Sequence, residues 1–371
     1  MSHAPRNGTR WAALLTLPAL ALVACGGNDD GADDGGGDGG GDGGGDGGDG
    51  GGDGGGDGGG DGGGEQTNGA TSLTLAHSYN DDQPQARCGA DVIQEEVAAA
   101  DVGLDIEIYG ASQLGGDADR IASVASGDID IDIQGASALG AVYEPVSVLD
   151  AAYAFDGPDH LANYMASPEA EQMIEDFAAE TGVRALGTWS AGARHFTSNQ
   201  PIRTPEDLEG LRIRFPGSPQ YLMNAEALGA DATEVAYEEL YLSLQQGAVD
   251  GQENPLTNIE SESLAEVQDY LNLSAHQLNT NLVIISEVWD DLNEEQQEAL
   301  NAAVETAVTE VTNCVAEDEE ATLQEWESGD EWEIIDDVDV DAFQEQAVSH
   351  LQDTLEGDSL QVFEDIRSTS E

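Results

Sequence analysis

The chain has 371 residues and a formal net charge of −66, because 76 acidic residues outnumber 10 basic ones, all of them arginine. This charge excludes nucleic acid as a partner, since a polyanion would be repelled. The length suffices for one large domain or for two lobes. An acidic surface without lysine and with many Ala, Asp and Glu indicates a host that lives at high salt.

The first 24 residues have the pattern of a secretory signal peptide. Arg6 and Arg10 precede an apolar run that is too short to predict a membrane span. Small and apolar residues then lead directly into Cys25, which is typical of the lipobox of bacterial lipoproteins, in which the cysteine is lipidated and becomes the new N-terminus. An ordinary signal peptide followed by a chance cysteine is the alternative.

Residues 26–64 are almost entirely Gly and Asp. A calcium-binding β-roll built from such repeats needs a large apolar residue in each unit, and none is present. A segment with nothing to bury stays disordered, and its regular charges keep it extended. We therefore assign 1–24 to a lipoprotein signal peptide and 25–67 to a lipid-anchored, disordered tether.

The next part of the chain alternates between strand and helix patterns, which predicts right-handed crossovers and a largely parallel sheet. Ligands of such sheets bind at the carboxyl ends of the strands, which places His77, Gln134 and Ser137 near a pocket. The predicted elements are a strand at 72–77, a helix at 84–100, a strand at 104–109, a helix at 117–126 and a strand at 129–134.

A long helix is predicted after a second set of elements. Asn293 with Gln296 three residues later is an N-cap signal, and apolar residues recur at helical spacing to about Trp326. Such a helix is roughly 50 Å long and would have to brace two lobes. The preceding elements are predicted as helices at 158–166, 168–180, 218–228 and 237–246, and as strands at 183–189, 194–199, 211–215, 268–274 and 280–286.

Two cysteines, Cys88 and Cys314, lie in the part of the chain that is predicted to fold. An even number of cysteines in an exported domain favours a disulfide. Two buried free thiols are the alternative.

Four of the ten arginines lie between residues 191 and 254. The blocks Arg194-His195-Phe196-Thr197-Ser198, Pro201-Ile202-Arg203-Thr204-Pro205 and Gly247-Ala248-Val249-Asp250-Gly251-Gln252-Glu253-Asn254 resemble the solute receptors of TRAP transporters, the DctP-like family. The similarity covers roughly residues 70–345.

This resemblance implies an α/β fold of the two-lobed, periplasmic-binding-protein-like (Venus flytrap) kind, with crossing strands and a long helix that bridges the lobes. Lobe I is predicted to comprise 68–190 plus 279–319, and lobe II 191–278 plus 320–371. The implied function is an exported, lipid-anchored receptor that binds an organic anion and delivers it to the membrane subunits of a TRAP permease. A receptor of an ABC-type importer and, with less support, an exported hydrolase are the alternatives.

The resemblance also suggests roles for individual residues. Arg214 is expected to form a two-pronged salt bridge with the ligand carboxylate, Arg194 to assist it, and Asn254 to hydrogen-bond nearby. Guanidinium suits this task because its planar fork matches a carboxylate and stays charged when buried. Salt bridges to protein carboxylates are the alternative, and we assign Arg203 and Arg212 to such structural roles.

Weaker candidates complete the predicted site. Trp189 and Phe215 could line the pocket or pack in the core, and Glu253 could face the cleft, where it would repel an anion that lacks a hydroxyl or amine. The histidines show no metal-ligand spacing, and no catalytic or phosphate-binding motif occurs. We therefore predict no metal, no cofactor and no enzymatic activity.

Overall fold

The computed structural model describes residues 71–369. The predicted signal peptide, the lipidation site Cys25 and the tether lie outside these residues. Within them, no helix is both long enough and apolar enough to cross a membrane.

Nine strands form one mixed sheet in the order β2-β1-β3-β8-β4-β7-β5-β6, with β9 paired to β8. The strands are β1 Thr71–His77, β2 Leu104–Tyr109, β3 Ile131–Gly135, β4 Arg184–Ser198, β5 Arg212–Phe215, β6 Asp231–Glu234, β7 Gly251–Pro255, β8 Tyr270–Ile285 and β9 Glu333–Ile335. The α-helices are α1 Asp91–Ala100, α2 Asp117–Ser126, α3 Ala136–Leu139, α4 Pro158–Met165, α5 Pro168–Thr181, α6 Pro219–Leu228, α7 Leu240–Gln245, α8 Leu256–Ser261, α9 Glu294–Ser328, α10 Val340–Thr354 and α11 Gly357–Ser368.

The first three strands pair in parallel, as the alternation of strand and helix predicts. The predicted helix at 84–100 begins as a π-helical stretch, Gln85–Ala90, and continues as α1. Beyond β4, a second parallel group forms where β5 pairs with both β6 and β7. Neither β6 nor β7 was predicted, because both are short and their sequences are largely polar.

Two long antiparallel strands, β4 and β8, join these groups. The carboxyl half of β8 pairs with β3, and the carboxyl half of β4 pairs with β7. The sequence predicted two separate strands for each of them. The pairing between β4 and β8 shifts register around Gly192, which has a φ of 98°. This bulge explains the apparent break in the strand pattern, since a glycine accommodates the extra residue in a left-handed conformation.

The predicted long helix is α9, which has 35 residues and is therefore about 52 Å long. Asn293 and Gln296 form a reciprocal capping box at its start, as predicted. Helix α9 packs against α1, β4 and α8, and Thr322 in its later part donates its hydroxyl to Glu260 of α8. A disulfide joins Cys88 to Cys314 on α9 across 226 residues of sequence, with 6.6 Å between their Cα atoms.

The last two helices pack on different parts of the protein. Helix α10 lies against α6 and β8, whereas α11 lies against α5 and the 3-10 helix Glu144–Asp150. The predicted boundary assigned both helices to lobe II. The contacts of α11 are with elements of the predicted lobe I, because its apolar residues Val362, Phe363 and Ile366 are buried in the core cluster that also contains Phe177 of α5.

Candidate ligand-binding site

A cavity of about 550 Å³ lies where the two parallel groups meet the crossing strands. Residues at the carboxyl ends of β3 and β5 line it, in agreement with the position of ligand sites in parallel sheets. Its polar lining consists mainly of amides, tyrosine hydroxyls and two arginines: Tyr79, Gln134, Arg194, Arg214, Tyr221, Tyr237, Asn254, Asn258, Asn279 and Asn281.

Arg214 is a buried cation that forms no ion pair within residues 71–369. It lies near the carboxyl end of β5 and is 1% exposed. Its Nε donates to the Val235 carbonyl at 2.9 Å, while its buried Nη1 has no hydrogen-bond partner among residues 71–369. Burial lowers the pKa of Arg214 to about 10, which leaves it charged at neutral pH. An unpaired buried charge is costly, so this position favours an anion.

All other arginines in the described part of the chain form an ion pair with a protein carboxylate. The pairs are Arg87–Asp318, Arg120–Asp132, Arg184–Asp290, Arg194–Glu253, Arg203–Asp337, Arg212–Asp250 and Arg367–Asp156. Arg203 and Arg212 therefore have the structural roles expected of them. In a chain that is so rich in acids, the absence of an ion pair at Arg214 within the described part is a specific feature of this site.

Arg194 also lines the cavity, but its charge is already neutralised. Its Nε and Nη2 donate to the Glu253 carboxylate, its Nη1 donates to Asn279 Oδ1 at 3.0 Å, and Nη2 also reaches Asn254 Oδ1 at 3.0 Å. The guanidinium lies over the Tyr221 ring, 4.9 Å from its centroid. Burial alone would lower the pKa of Arg194, but the adjacent Glu253 outweighs burial and raises it.

Glu253 does not line the cavity. It is fully buried, and its carboxylate accepts from Arg194 and lies 3.4 Å from His276 Nε2. Strand β7 runs beside β4, which places Glu253 next to Arg194. Burial opposes ionisation, yet Arg194 holds the pKa of Glu253 below its usual value. Glu253 therefore compensates an arginine and does not repel an anion in the cavity.

Gln134 and Asn254, two of the predicted site residues, line the cavity, and protein groups hold both amides. Gln134 Nε2 donates to Asp132 at 3.2 Å, and its Oε1 accepts from the Gly135 N–H at 2.9 Å. Asn254 Nδ2 donates to Gln252 Oε1 at 2.5 Å, while its Oδ1 accepts from Arg194. These contacts fix the orientation of the two amides at the cavity wall.

Besides Glu253, four predicted site residues lie outside the cavity lining. His77 is buried beside Gly110, its Nδ1 accepts from the Tyr79 N–H at 3.2 Å, and burial lowers its pKa to about 4. Ser137 donates its hydroxyl to the buried Asp150 at 2.8 Å. Trp189 packs near α9 in the core. Phe215 belongs to another part of the core, because neighbouring residues of a strand point to opposite faces and Arg214 occupies the cavity side.

Several lining residues were not predicted. Asn279 and Asn281 occupy alternate positions of the otherwise apolar end of β8, and this pattern of buried amides on one strand face was a usable signal. Tyr79 and Tyr221 had no local signal, because only the tertiary structure directs them to the cavity. Burial raises the pKa of both tyrosines, so their hydroxyls stay neutral hydrogen-bonding groups.

Comparisons with known proteins agree with this architecture. Residues 76–358 match the family described as bacterial extracellular solute-binding protein, family 7. The sialic acid-binding periplasmic protein SiaP of Vibrio cholerae is 32% identical over 242 residues, which are 64% of this chain and 74% of that protein. The uncharacterized protein y4mM of Sinorhizobium fredii is 32% identical over 241 residues, 64% of this chain but 44% of that longer protein.

Among solved structures, one similar protein is a TRAP periplasmic solute binding protein from Roseobacter denitrificans with bound L-galactonate. It is 29% identical and superposes with a TM-score of 0.75, covering 80% of this chain and 99% of that one. The two-lobed α/β architecture with a long helix is thus a known fold.

Proposed function

Because the chain belongs to family 7 of the bacterial extracellular solute-binding proteins, we propose that it is a receptor for an organic acid whose carboxylate binds Arg214. The observation that carries this proposal is the buried, unpaired guanidinium of Arg214 at the cavity wall. A carboxylate supplies the missing counterion and matches the planar fork of donors. The names of two similar proteins mention sialic acid and L-galactonate, which are both carboxylic acids.

Arg194 has a supporting role in this proposal. Its ion pair with Glu253 removes its net charge, so that Arg214 supplies the uncompensated positive charge. Arg194 keeps Asn254 and Asn279 in place at the cavity wall through hydrogen bonds. The carboxylate therefore interacts primarily with Arg214, and Arg194 organises the surrounding amides.

Ligand binding is coupled to closure of two lobes. The cavity is lined by Gln134 from one parallel group and by Arg214 from the other, so a bound ligand bridges them. The register shifts near Gly192, where β4 crosses between the groups, offer a point of bending. Because the ligand contacts both groups at once in the closed form, binding shifts the population towards closure.

The receptor delivers its ligand to the membrane subunits of a TRAP permease. Lipidated Cys25 and the Gly/Asp tether hold it at the outer face of the membrane, and its acidic surface suits a host that lives at high salt. An ABC-type importer is the alternative transporter. A neighbouring pair of genes for a small and a large membrane subunit, without an ATPase gene, would distinguish the TRAP system. As members of a family of receptors, such proteins bind and release their ligands unchanged.

The Arg214→Gln variant tests this function. Mass spectrometry of ligand that co-purifies with the native protein first identifies the acid, and calorimetry then measures its affinity. We expect the affinity to fall at least about 100-fold, since removing one partner of a buried ion pair costs about 3–5 kcal/mol.

The matched control is Arg184→Gln, which removes a solvent-exposed arginine paired with Asp290. This variant should keep the native affinity. Unchanged affinity in Arg214→Gln, with the fold intact by circular dichroism, would refute the role of Arg214. Turnover of the co-purified acid would instead favour the hydrolase alternative.

A further inference from the structure

Arg214 is not the only residue at the cavity that has an unused hydrogen-bonding atom. Asn281 Nδ2, Asn258 Oδ1 and the Ser218 hydroxyl are also buried there, and none has a partner within the described residues. Arg214 and Asn281 offer donors, Asn258 offers an acceptor, and Ser218 can do either. Buried polar atoms are normally satisfied, so this mixed set indicates what a ligand must provide.

Tyrosine neighbours orient the two amides. Tyr79 donates its hydroxyl to Asn281 Oδ1 at 2.8 Å, which leaves Asn281 Nδ2 free to donate. Asn258 Nδ2 donates to the Tyr237 hydroxyl oxygen at 3.1 Å. Asn258 Oδ1 is therefore the atom left for a ligand, and it requires a hydrogen-bond donor.

The charges that line the cavity restrict the ligand further. Arg194 is compensated by Glu253, which leaves Arg214 as the single uncompensated cation of the lining. The other charged residues of the lining are acids, Asp117, Asp119, Glu234 and Glu238. One ligand carboxylate balances Arg214. A second would have no cation to bind and would lie among carboxylates of its own sign.

An ionised carboxylate cannot satisfy Asn258, because it accepts hydrogen bonds and donates none. An ammonium group could donate to Asn258 but could not accept from Asn281. A hydroxyl group does both. The observed set of free atoms is thus satisfied by one carboxylate at Arg214 together with neutral hydroxyl groups at the two asparagines.

Resting on the proposed function, we propose that the ligand is a hydroxylated monocarboxylic acid and that Asn258 and Asn281 bind its hydroxyl groups. The site consequently rejects both dicarboxylates and unsubstituted fatty acids of the same length. This assigns specificity to two asparagines on different elements, one on α8 and one on β8.

A panel of four six-carbon acids tests the proposal by calorimetry on the purified protein freed of its co-purified ligand. D-Gluconate carries one carboxylate and hydroxyls, D-glucarate adds a second carboxylate, adipate has two carboxylates and no hydroxyl, and hexanoate has one carboxylate alone. We expect D-gluconate to bind about 100-fold more tightly than adipate or hexanoate. Its affinity should also exceed that of D-glucarate by about tenfold or more.

The outcomes separate this proposal from the proposed function. Adipate or hexanoate binding as tightly as D-gluconate would overturn the hydroxyl requirement while leaving a carboxylate receptor in place. D-Glucarate binding as tightly as D-gluconate would overturn the restriction to monocarboxylates. If none of the four acids bound, this specificity would be overturned, whereas the carboxylate receptor would still be decided by the co-purified ligand and by Arg214→Gln.

An asparagine variant locates the effect. Asn258→Leu should lower the affinity for D-gluconate about tenfold or more and leave that for hexanoate unchanged, because only the first has a hydroxyl to donate. Asn301→Leu, on the exposed face of α9, is the matched control and should change neither affinity. Equal losses for both acids in Asn258→Leu would mean a structural role and would overturn the assignment of this residue.

Discussion

Glu319 is a carboxylic acid held at the bulge of β4 in an environment that disfavours its charge. It lies on α9 and accepts a hydrogen bond from the Ala193 N–H, while its Oε1 is buried without a partner in the described structure. Its carboxylate occupies space that is open because residue 192 is glycine. Burial raises the pKa of Glu319 to about 7 from an ordinary value of 4.5.

The consequence for stability follows from proton linkage. Since the folded protein binds this proton more tightly than the unfolded chain does, Glu319 disfavours folding increasingly as pH rises from about 4.5 to about 7. Between pH 5 and pH 8, ionisation of Glu319 lowers the free energy of unfolding by at most about 2.5 kcal/mol. Partial solvent contact reduces this decrease to about 1–2 kcal/mol. The Glu319→Gln variant removes the charge and hence this loss.

Urea unfolding at pH 5 and pH 8, in the same high salt, measures the effect. We compare the free energy of unfolding of Glu319→Gln with that of the native protein at each pH. The difference should favour the variant by about 1–2 kcal/mol more at pH 8 than at pH 5. Comparing the two pH values cancels any contribution of the new amide that is independent of pH. The exposed Glu317→Gln, one-half turn away on α9, is the control and should show no such difference. If Glu319→Gln changed the free energy of unfolding equally at both pH values, the destabilising ionisation of Glu319 would be refuted.

Two further predictions concern the environment of the protein. Cys25→Ser should release the protein from the membrane fraction of producing cells into the soluble exported fraction, because the acyl anchor is lost; retention in the membrane fraction would contradict lipidation at this residue. Lowering the salt from molar to millimolar concentration should lower the melting temperature, since the charge of −66 is then unscreened. A melting temperature independent of salt would contradict adaptation to high salt.

The arginines illustrate what a sequence pattern can and cannot resolve. Their concentration between residues 191 and 254 predicts the region of the site, and two of them, Arg194 and Arg214, line the cavity. Which of them is free to bind a ligand depends on partners that are distant in sequence. Arg203 is 134 residues from Asp337, and Arg194 is 59 residues from Glu253. Local spacing carries no information about such contacts.

Local pattern determined the elements whose period is regular. The alternation of β1, α1 and β2 and the capped helix α9 follow from residues that are neighbours along the chain, so the sequence predicts them well. Strands β4 and β8 were each divided in the prediction. Their continuity depends on cross-strand hydrogen bonds through register shifts, which lie beside Gly192 in β4 and beside Ala275, with a φ of 41°, in β8. A sequence pattern interprets such an irregularity as the end of a strand.

The sequence by itself determined the fold class, the long helix and Arg214 as the principal candidate for the ligand carboxylate. The tertiary structure decided which side chains share the cavity with it. It placed Phe215 on the opposite face of β5, buried Glu253 against Arg194, and directed Asn258 and Asn281 to the cavity. The physical reason is that burial and counterion pairing are properties of the folded neighbourhood, whereas hydrophobic period and capping are encoded within a few consecutive residues.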